Sequence, residues 1–258
     1  MEELLVRVEE GICTISLNRP AARNALTAAM RLELISLVTS IDADETVAVV
    51  VITGTDPAFC AGIDLQEIAA GEATDAIPAL RAPDAGVEQC RDNLGTAVGR
   101  MRTPVVAAVN GACYTGGLEL ALACDVIVAS DRATFADTHA RFGLAPYWGM
   151  SARLPARVGP GRARLMALTG RPVPAAEAER MGLVDLVVPH DDLAATVAGI
   201  AADIASAVPS AIAAAQRLYD ASADLPLSGR LHLEMEVAEG FRFDRDEFAR
   251  RVAARTRR

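Results

Sequence analysis

Apolar positions run along this chain in two rhythms. Residues 4–8 and 12–17 are short β-type segments around Glu9-Glu10-Gly11, which predicts a hairpin. Residues 47–53, 104–109 and 126–129 are continuous apolar runs, the pattern of strands covered on both faces. A short strand at 133–135 and a late one at 182–188 follow the same rule. Between them the period changes. Thr27 can cap a helix running to about Ile41, with Met30, Leu34, Leu37 and Ile41 on one face. Residues 70–86 carry Gly71, Pro78, Pro83 and Gly86 and predict a loop or broken helix over a site. A helix over about 87–102 comes next. From Pro160 the pattern is mainly helical: 161–168, 174–181, 193–207, 209–221, and 229–255 with a break near Phe243. Strands alternating with helices, then helices alone, predict an α/β layered domain followed by a C-terminal helical portion.

One stretch combines several chemical features. After the strand at 104–109, Gly111, Gly116 and Gly117 punctuate a turn, and an apolar helix over 118–124 begins. Its one charged residue is Glu119. A carboxylate in the first turn of a buried helix is costly unless it is paired or working. The helix start also leaves free N–H groups that can hold a developing negative charge. Upstream, Ala58-Phe-Cys-Ala-Gly-Ile-Asp64 offers Asp64 as a helix cap and Gly62 as a place where a backbone N–H can point outward. A simple strand–loop–helix junction accounts for that segment equally well. Downstream, Asp137-Thr-His-Ala-Arg141 holds His139, while His190 and His232 fall in surface segments. The loop 143–149 carries Tyr147 and the only tryptophan, Trp148, either lining a pocket or pinning the loop to the core.

Composition narrows the class. The chain has 258 residues, 52% hydrophobic and 23% charged, so it is globular; at 4% aromatic, its core is aliphatic. A net charge of −9 argues against nucleic-acid binding. The basic cluster Arg250, Arg251, Arg255, Arg257 and Arg258 reads as a solvated helix end. Five cysteines without Cys-x-x-Cys spacing predict reduced thiols in a cytoplasmic protein. No signal peptide or membrane-length apolar run is seen. Nucleophile-elbow, phosphate-loop, dinucleotide and zinc patterns are missing, so neither metal nor redox cofactor is expected.

Taken together, Leu17-Asn-Arg-Pro20, Arg23-Asn-Ala-Leu26, Val50-Val-Ile-Thr-Gly54, Phe59-Cys-Ala-Gly-Ile-Asp64, Pro104-Val-Val-Ala-Ala-Val-Asn-Gly111, Gly116-Gly-Leu-Glu-Leu-Ala121, Cys124-Asp125, Leu154-Pro155 and Gly182-Leu-Val184 resemble the crotonase (enoyl-CoA hydratase/isomerase) superfamily. They stand in the family's order and span nearly the whole chain. The resemblance implies an α/β spiral of β-β-α repeats over 1–195 and a helical trimerisation region over 196–258, with trimers often stacked into hexamers. It implies an acyl-CoA thioester as substrate, coenzyme A being its carrier. The thioester oxygen is then held in an oxyanion hole by the amides of Ile63 and Gly116. Arg23, Ala61 and Leu65 fall where the family meets coenzyme A. Family hydratases use two glutamates. The first falls on Glu119, and at the second this chain has His139. Hydration of a 2-enoyl-CoA is the expected reaction. Isomerisation, another reaction of this superfamily, or non-catalytic acyl-CoA binding is the alternative. Tyr147, Trp148 and Asp137 are the expected acyl-pocket residues.

Overall fold

In the computed structural model, residues 2–71, 93–222 and 225–255 are described. The loop expected over 70–86 and the start of the helix expected over 87–102 fall mostly outside them, as does Cys90. Strands β1 (Leu4–Glu9) and β2 (Ile12–Leu17) form the expected antiparallel hairpin. Helix α1 (Ala28–Asp42) follows, capped by Thr27, whose hydroxyl accepts from the Met30 amide. Then come β3 (Val49–Gly54), β4 (Ala58–Cys60), α2 (Leu65–Ala70) and α3 (Leu94–Val98). The chain continues through β5 (Val105–Val109), β6 (Ala112–Tyr114), α4 (Gly116–Leu122), β7 (Val126–Ser130) and β8 (Thr134–Ala136). It proceeds to α5 (Met150–Val158), α6 (Pro160–Thr169), β9 (Val173–Pro174), α7 (Ala175–Arg180), β10 (Leu186–Val188) and α8 (Leu193–Ala205).

Two sheets organise this part. The larger has the order β1-β2-β3-β5-β7-β10, parallel after the first hairpin; the smaller has the order β4-β6-β8-β9. Each of β3, β5 and β7 passes the chain to a short strand of the second sheet, so successive β-β units wind as a spiral. The uninterrupted apolar runs have a direct cause. Val50, Ile52, Val105, Ala107, Ile127 and Ala129 face the main core, and the alternate residues Val49, Val51, Val106, Ala108 and Val128 pack with Leu193, Val197 and Ala201 of α8. A strand covered on both faces loses the polar half of its alternation.

The chain divides into two units, residues 1–207 and 208–258. The second consists of α9 (Pro209–Ser222), α10 (Leu227–Gly240) and α11 (Arg245–Arg255), with the expected break around Phe243. Its helices expose Tyr219, Leu227, Leu231, Met235, Phe248 and Val252. Among the described residues no single helix is long and apolar enough to cross a membrane. The four described cysteines, Cys13, Cys60, Cys113 and Cys124, are free and buried. Burial pushes the Cys60 thiol up to about 12.

Candidate active site

Glu119 lies in the first turn of α4 and is almost wholly buried. Its Oε1 accepts three backbone N–H groups, from Tyr147 at 3.2 Å, Trp148 at 2.7 Å and Met150 at 3.1 Å. The loop between the 3₁₀ turn His139–Phe142 and α5 therefore wraps one carboxylate oxygen. Trp148 is held in turn by Arg153 of α5, whose guanidinium donates to the Trp148 carbonyl at 2.8 Å. Burial lowers the pKa of this guanidinium, against the pull of Cys124 and Glu119. For Glu119 burial dominates the other way and raises the pKa, with His139 and the three amides opposing.

The other oxygen, Oε2, stands 3.6 Å from His139 Nε2. On the far side of the ring, His139 Nδ1 is 2.7 Å from Asp137 Oδ1, which also accepts the His139 backbone N–H at 3.2 Å. Two buried carboxylates thus flank one buried imidazole. The expected roles divide here. Glu119 and His139 line a cavity of about 350 Å³, whereas Asp137 is turned behind the imidazole and is not among the cavity-lining residues. Tyr147 and Trp148 do line it, with Ala61, Ile63, Leu65, Ile68, Phe142 and Leu144.

The two residues whose amides are expected to form an oxyanion hole are brought side by side by a chain of local constraints. Gly62 takes φ +102°, a conformation open to glycine, and Cys60 Sγ accepts its N–H. The next residue, Ile63, bridges to Leu26, an arrangement that occupies the amide of Asp64 and the carbonyl of Gly62. Asp64 caps α2 through the Gln66 amide and pairs with Arg19 at 2.9 Å, pinning the loop. On the other side, Thr115 sits at φ +52°, ψ −113° between β6 and α4. A β-branched residue there stores strain of order 1–3 kcal/mol. Its N–H donates to the Ala136 carbonyl and its hydroxyl meets that of Thr138. Gly116 follows; a side chain on it would come within 3.1 Å of the Trp148 ring and 3.5 Å of Ile63. Among the described residues, the amides of Ile63 and Gly116 have no hydrogen-bond partner.

Arg23 is exposed, and its carbonyl accepts the Ala61 amide at 3.0 Å, so the two lie side by side at the edge of the loop. Leu65 is half exposed beside the cavity. Asn24 is fully buried: it bonds the Arg19 amide and the carbonyls of Thr55 and Ala58, an internal brace for the loop. Among the described residues no cluster of three His, Cys, Asp or Glu side chains has metal-holding geometry.

Several contributors were hidden in the sequence. The three amides around Glu119 belong to residues 147, 148 and 150, some thirty positions on, and backbone donors have no sequence signature. Arg153 lies in a helix that Pro155 disguises. His190, expected on the surface, is instead largely enclosed: Nδ1 meets Ser130 Oγ at 3.0 Å and Nε2 meets Asp56 Oδ2 at 3.3 Å. Asp56 lies on a turn and Ser130 ends β7, and only the folded sheet brings the two to it.

The family model for enoyl-CoA hydratase/isomerase matches residues 7–250. A probable enoyl-CoA hydratase of Rhizobium meliloti (strain 1021) is 38% identical over 250 residues, covering 96% of this chain and 88% of its own. The crystal structure of an enoyl-CoA hydratase from Mycobacterium avium is 44% identical with a TM-score of 0.74, covering 92% of this chain and 96% of that one. The enoyl-CoA hydratase structure from Bacillus anthracis has a TM-score of 0.88 at 33% identity and covers 100% of this chain and 97% of that one. The fold is the crotonase fold, and the chain belongs to the enoyl-CoA hydratase/isomerase family.

Proposed function

We propose that this chain hydrates 2-enoyl-CoA thioesters, with Glu119 and His139 as its acid–base pair. The family assignment makes it a hydratase-like enzyme of acyl-CoA metabolism. The observation that carries the residue-level reading is the division of labour within Glu119. Three amides fix Oε1, so only Oε2 is left to work, and it faces His139 Nε2 at the cavity wall. The thioester oxygen lies against the Ile63 and Gly116 amides, which stabilise the enolate as the double bond polarises. Glu119 Oε2 takes a proton from water, and the water oxygen bonds to Cβ. His139 serves the proton that Cα gains. Coenzyme A runs past Leu65 and Ala61 toward Arg23, and Phe142, Leu144, Tyr147 and Trp148 enclose the acyl group. No metal or redox group enters this scheme.

The exposed apolar side chains of α9–α11 support contacts between copies of the chain, as a trimer or a pair of trimers. The buried, free thiols support a reducing compartment such as the cytoplasm.

The test is turnover of crotonyl-CoA and longer 2-enoyl-CoA substrates, followed by loss of the enone absorbance. The parent is expected to turn over. A parent that binds acyl-CoA but is silent, with activity appearing in His139→Glu, overturns hydration in favour of isomerisation or binding alone.

A further inference from the structure

We infer that Asp137 is a positioning residue for this reaction: it fixes His139 as the Nδ1–H tautomer and balances the imidazolium charge, so that Nε2 presents one transferable proton to Glu119 within a pair of no net charge. The inference rests on the hydration reading for its chemistry and on geometry for the tautomer.

The geometry is restrictive. Asp137 Oδ1 lies 2.7 Å from Nδ1 and also accepts the His139 backbone N–H, so side chain and main chain lock the ring together. An ionised carboxylate accepts and does not donate, so Nδ1 must carry hydrogen. Nε2 is then the nitrogen that gains and loses a proton, and it is the one facing Glu119 Oε2. Among the described residues, the charged groups facing the imidazole are Asp137 from its own segment and Glu119 from α4; Arg141, two residues on, is turned onto the Thr169 carbonyl. A lone imidazolium at a buried position is expensive, whereas one paired with a hydrogen-bonded carboxylate is not.

The proton inventory then closes inside the site. Before reaction the proton is on His139 Nε2 and Glu119 is ionised. Glu119 Oε2 removes a proton from water as the water oxygen bonds to Cβ. The C=C electron pair moves to the thioester oxygen. Nε2 delivers its proton to Cα as the enolate electrons return. Water has been added, Glu119 is protonated and His139 neutral. The 3.6 Å between Oε2 and Nε2 is short enough for a small side-chain movement to return the proton to Nε2. The pair resets itself without a proton from solvent.

The experiment has two arms. In one, ¹⁵N-histidine-labelled protein is studied by long-range ¹H–¹⁵N NMR, with His139 assigned by its loss in His139→Gln. The expected result is a ring protonated at both nitrogens that, as pH is raised, loses the Nε2 proton and keeps the one on Nδ1. A neutral ring with Nε2 protonated overturns the proposal, whatever the enzyme does. In the other arm Asp137→Asn keeps an acceptor for Nδ1–H but removes its charge, and Asp137→Glu restores the charge. In Asp137→Asn, kcat for crotonyl-CoA is expected to fall by about 10²–10⁴ with little change in KM, as for the charge-removing change in a Ser-His-Asp triad. Asp137→Glu is expected to recover part of it. Asp137→Asn with kcat within twofold of the parent overturns the proposal. A parent that does not hydrate at all overturns the functional reading, and the NMR arm then decides the tautomer alone.

Discussion

Among the described residues two aspartate–histidine pairs occur, and they differ in burial and in what the second ring nitrogen faces. Asp137–His139 is buried, closes at 2.7 Å and points its free nitrogen at a second buried carboxylate. Asp56–His190 is looser at 3.3 Å, with the aspartate side chain 64% exposed and the other ring nitrogen spent on Ser130. The second pair lies in the larger hollow, about 960 Å³, beside α8 and the outer face of the large sheet. Size is therefore a poor guide here. The small cavity has mostly apolar walls, with the buried Glu119 and His139 facing each other across it. The large one has an aspartate–histidine contact whose carboxylate is mostly exposed, where water screens its charge. Asn110 bonds Asp56 at 2.8 Å, and that bond, more than His190, holds the Asp56 carboxyl below its ordinary range.

The sharpest way to break the comparison is to neutralise a carboxylate on each side. Glu119→Gln is expected to lower kcat/KM by about 10²–10⁴ with acyl-CoA binding kept. Asp56→Asn is expected to stay within twofold of the parent. Steady-state kinetics on crotonyl-CoA decides it, and equal losses would mean that the large hollow contributes to turnover.

Next in size is the brace behind Glu119. Arg153→Met leaves the Trp148 carbonyl without its donor, and an unmade buried hydrogen bond costs about 1–3 kcal/mol. A lowered urea midpoint with an unchanged slope is the expected reading, and Arg132→Met at an exposed pair is the control.

The stability of Glu119→Gln should also depend on pH. Burial raises the Glu119 pKa, so the folded state holds its proton more tightly than the unfolded chain. Ionised Glu119 then opposes folding increasingly as pH rises from the ordinary glutamate range through the folded value. The glutamine variant should out-melt the parent at pH 8, with the gap shrinking toward pH 4. A gap constant with pH would refute this. The smallest effect concerns Asp56, whose pKa is lowered. Its contribution is present above the ordinary aspartate range and is lost as pH falls through the folded value. Asp56→Asn should therefore destabilise slightly at neutral pH and not at all in strong acid, read by thermal melts.

Much of the architecture was legible because burial on two faces writes long apolar runs. The strands 49–54, 105–109 and 126–130 stood out for that reason. The three-residue strands β4, β6 and β8 make up most of the second sheet; β4 and β6 are too short to show a period and read as turns. Glu119 was visible because a carboxylate amid Leu118, Leu120 and Leu122 demands an explanation. Its bonding partners were not, because they are amides. Asp137 was expected at the acyl pocket and stands behind His139 instead, since two residues of spacing do not tell which way a side chain turns.

Those amide partners carry an implication for how the acyl site can be altered. Glu119 is tethered to the pocket wall through the main chain of Tyr147, Trp148 and Met150, while the side chains of Tyr147 and Trp148 face the cavity. In the proposed reaction, recognition and reactivity thus share a loop but use different atoms of it. Tyr147 can be exchanged for smaller or larger residues to admit other acyl groups without touching the bonds that orient the carboxylate. Proline alone is barred, since it deletes the donor. The loop is a place where substrate range can drift, or be redesigned, while the chemistry stays fixed.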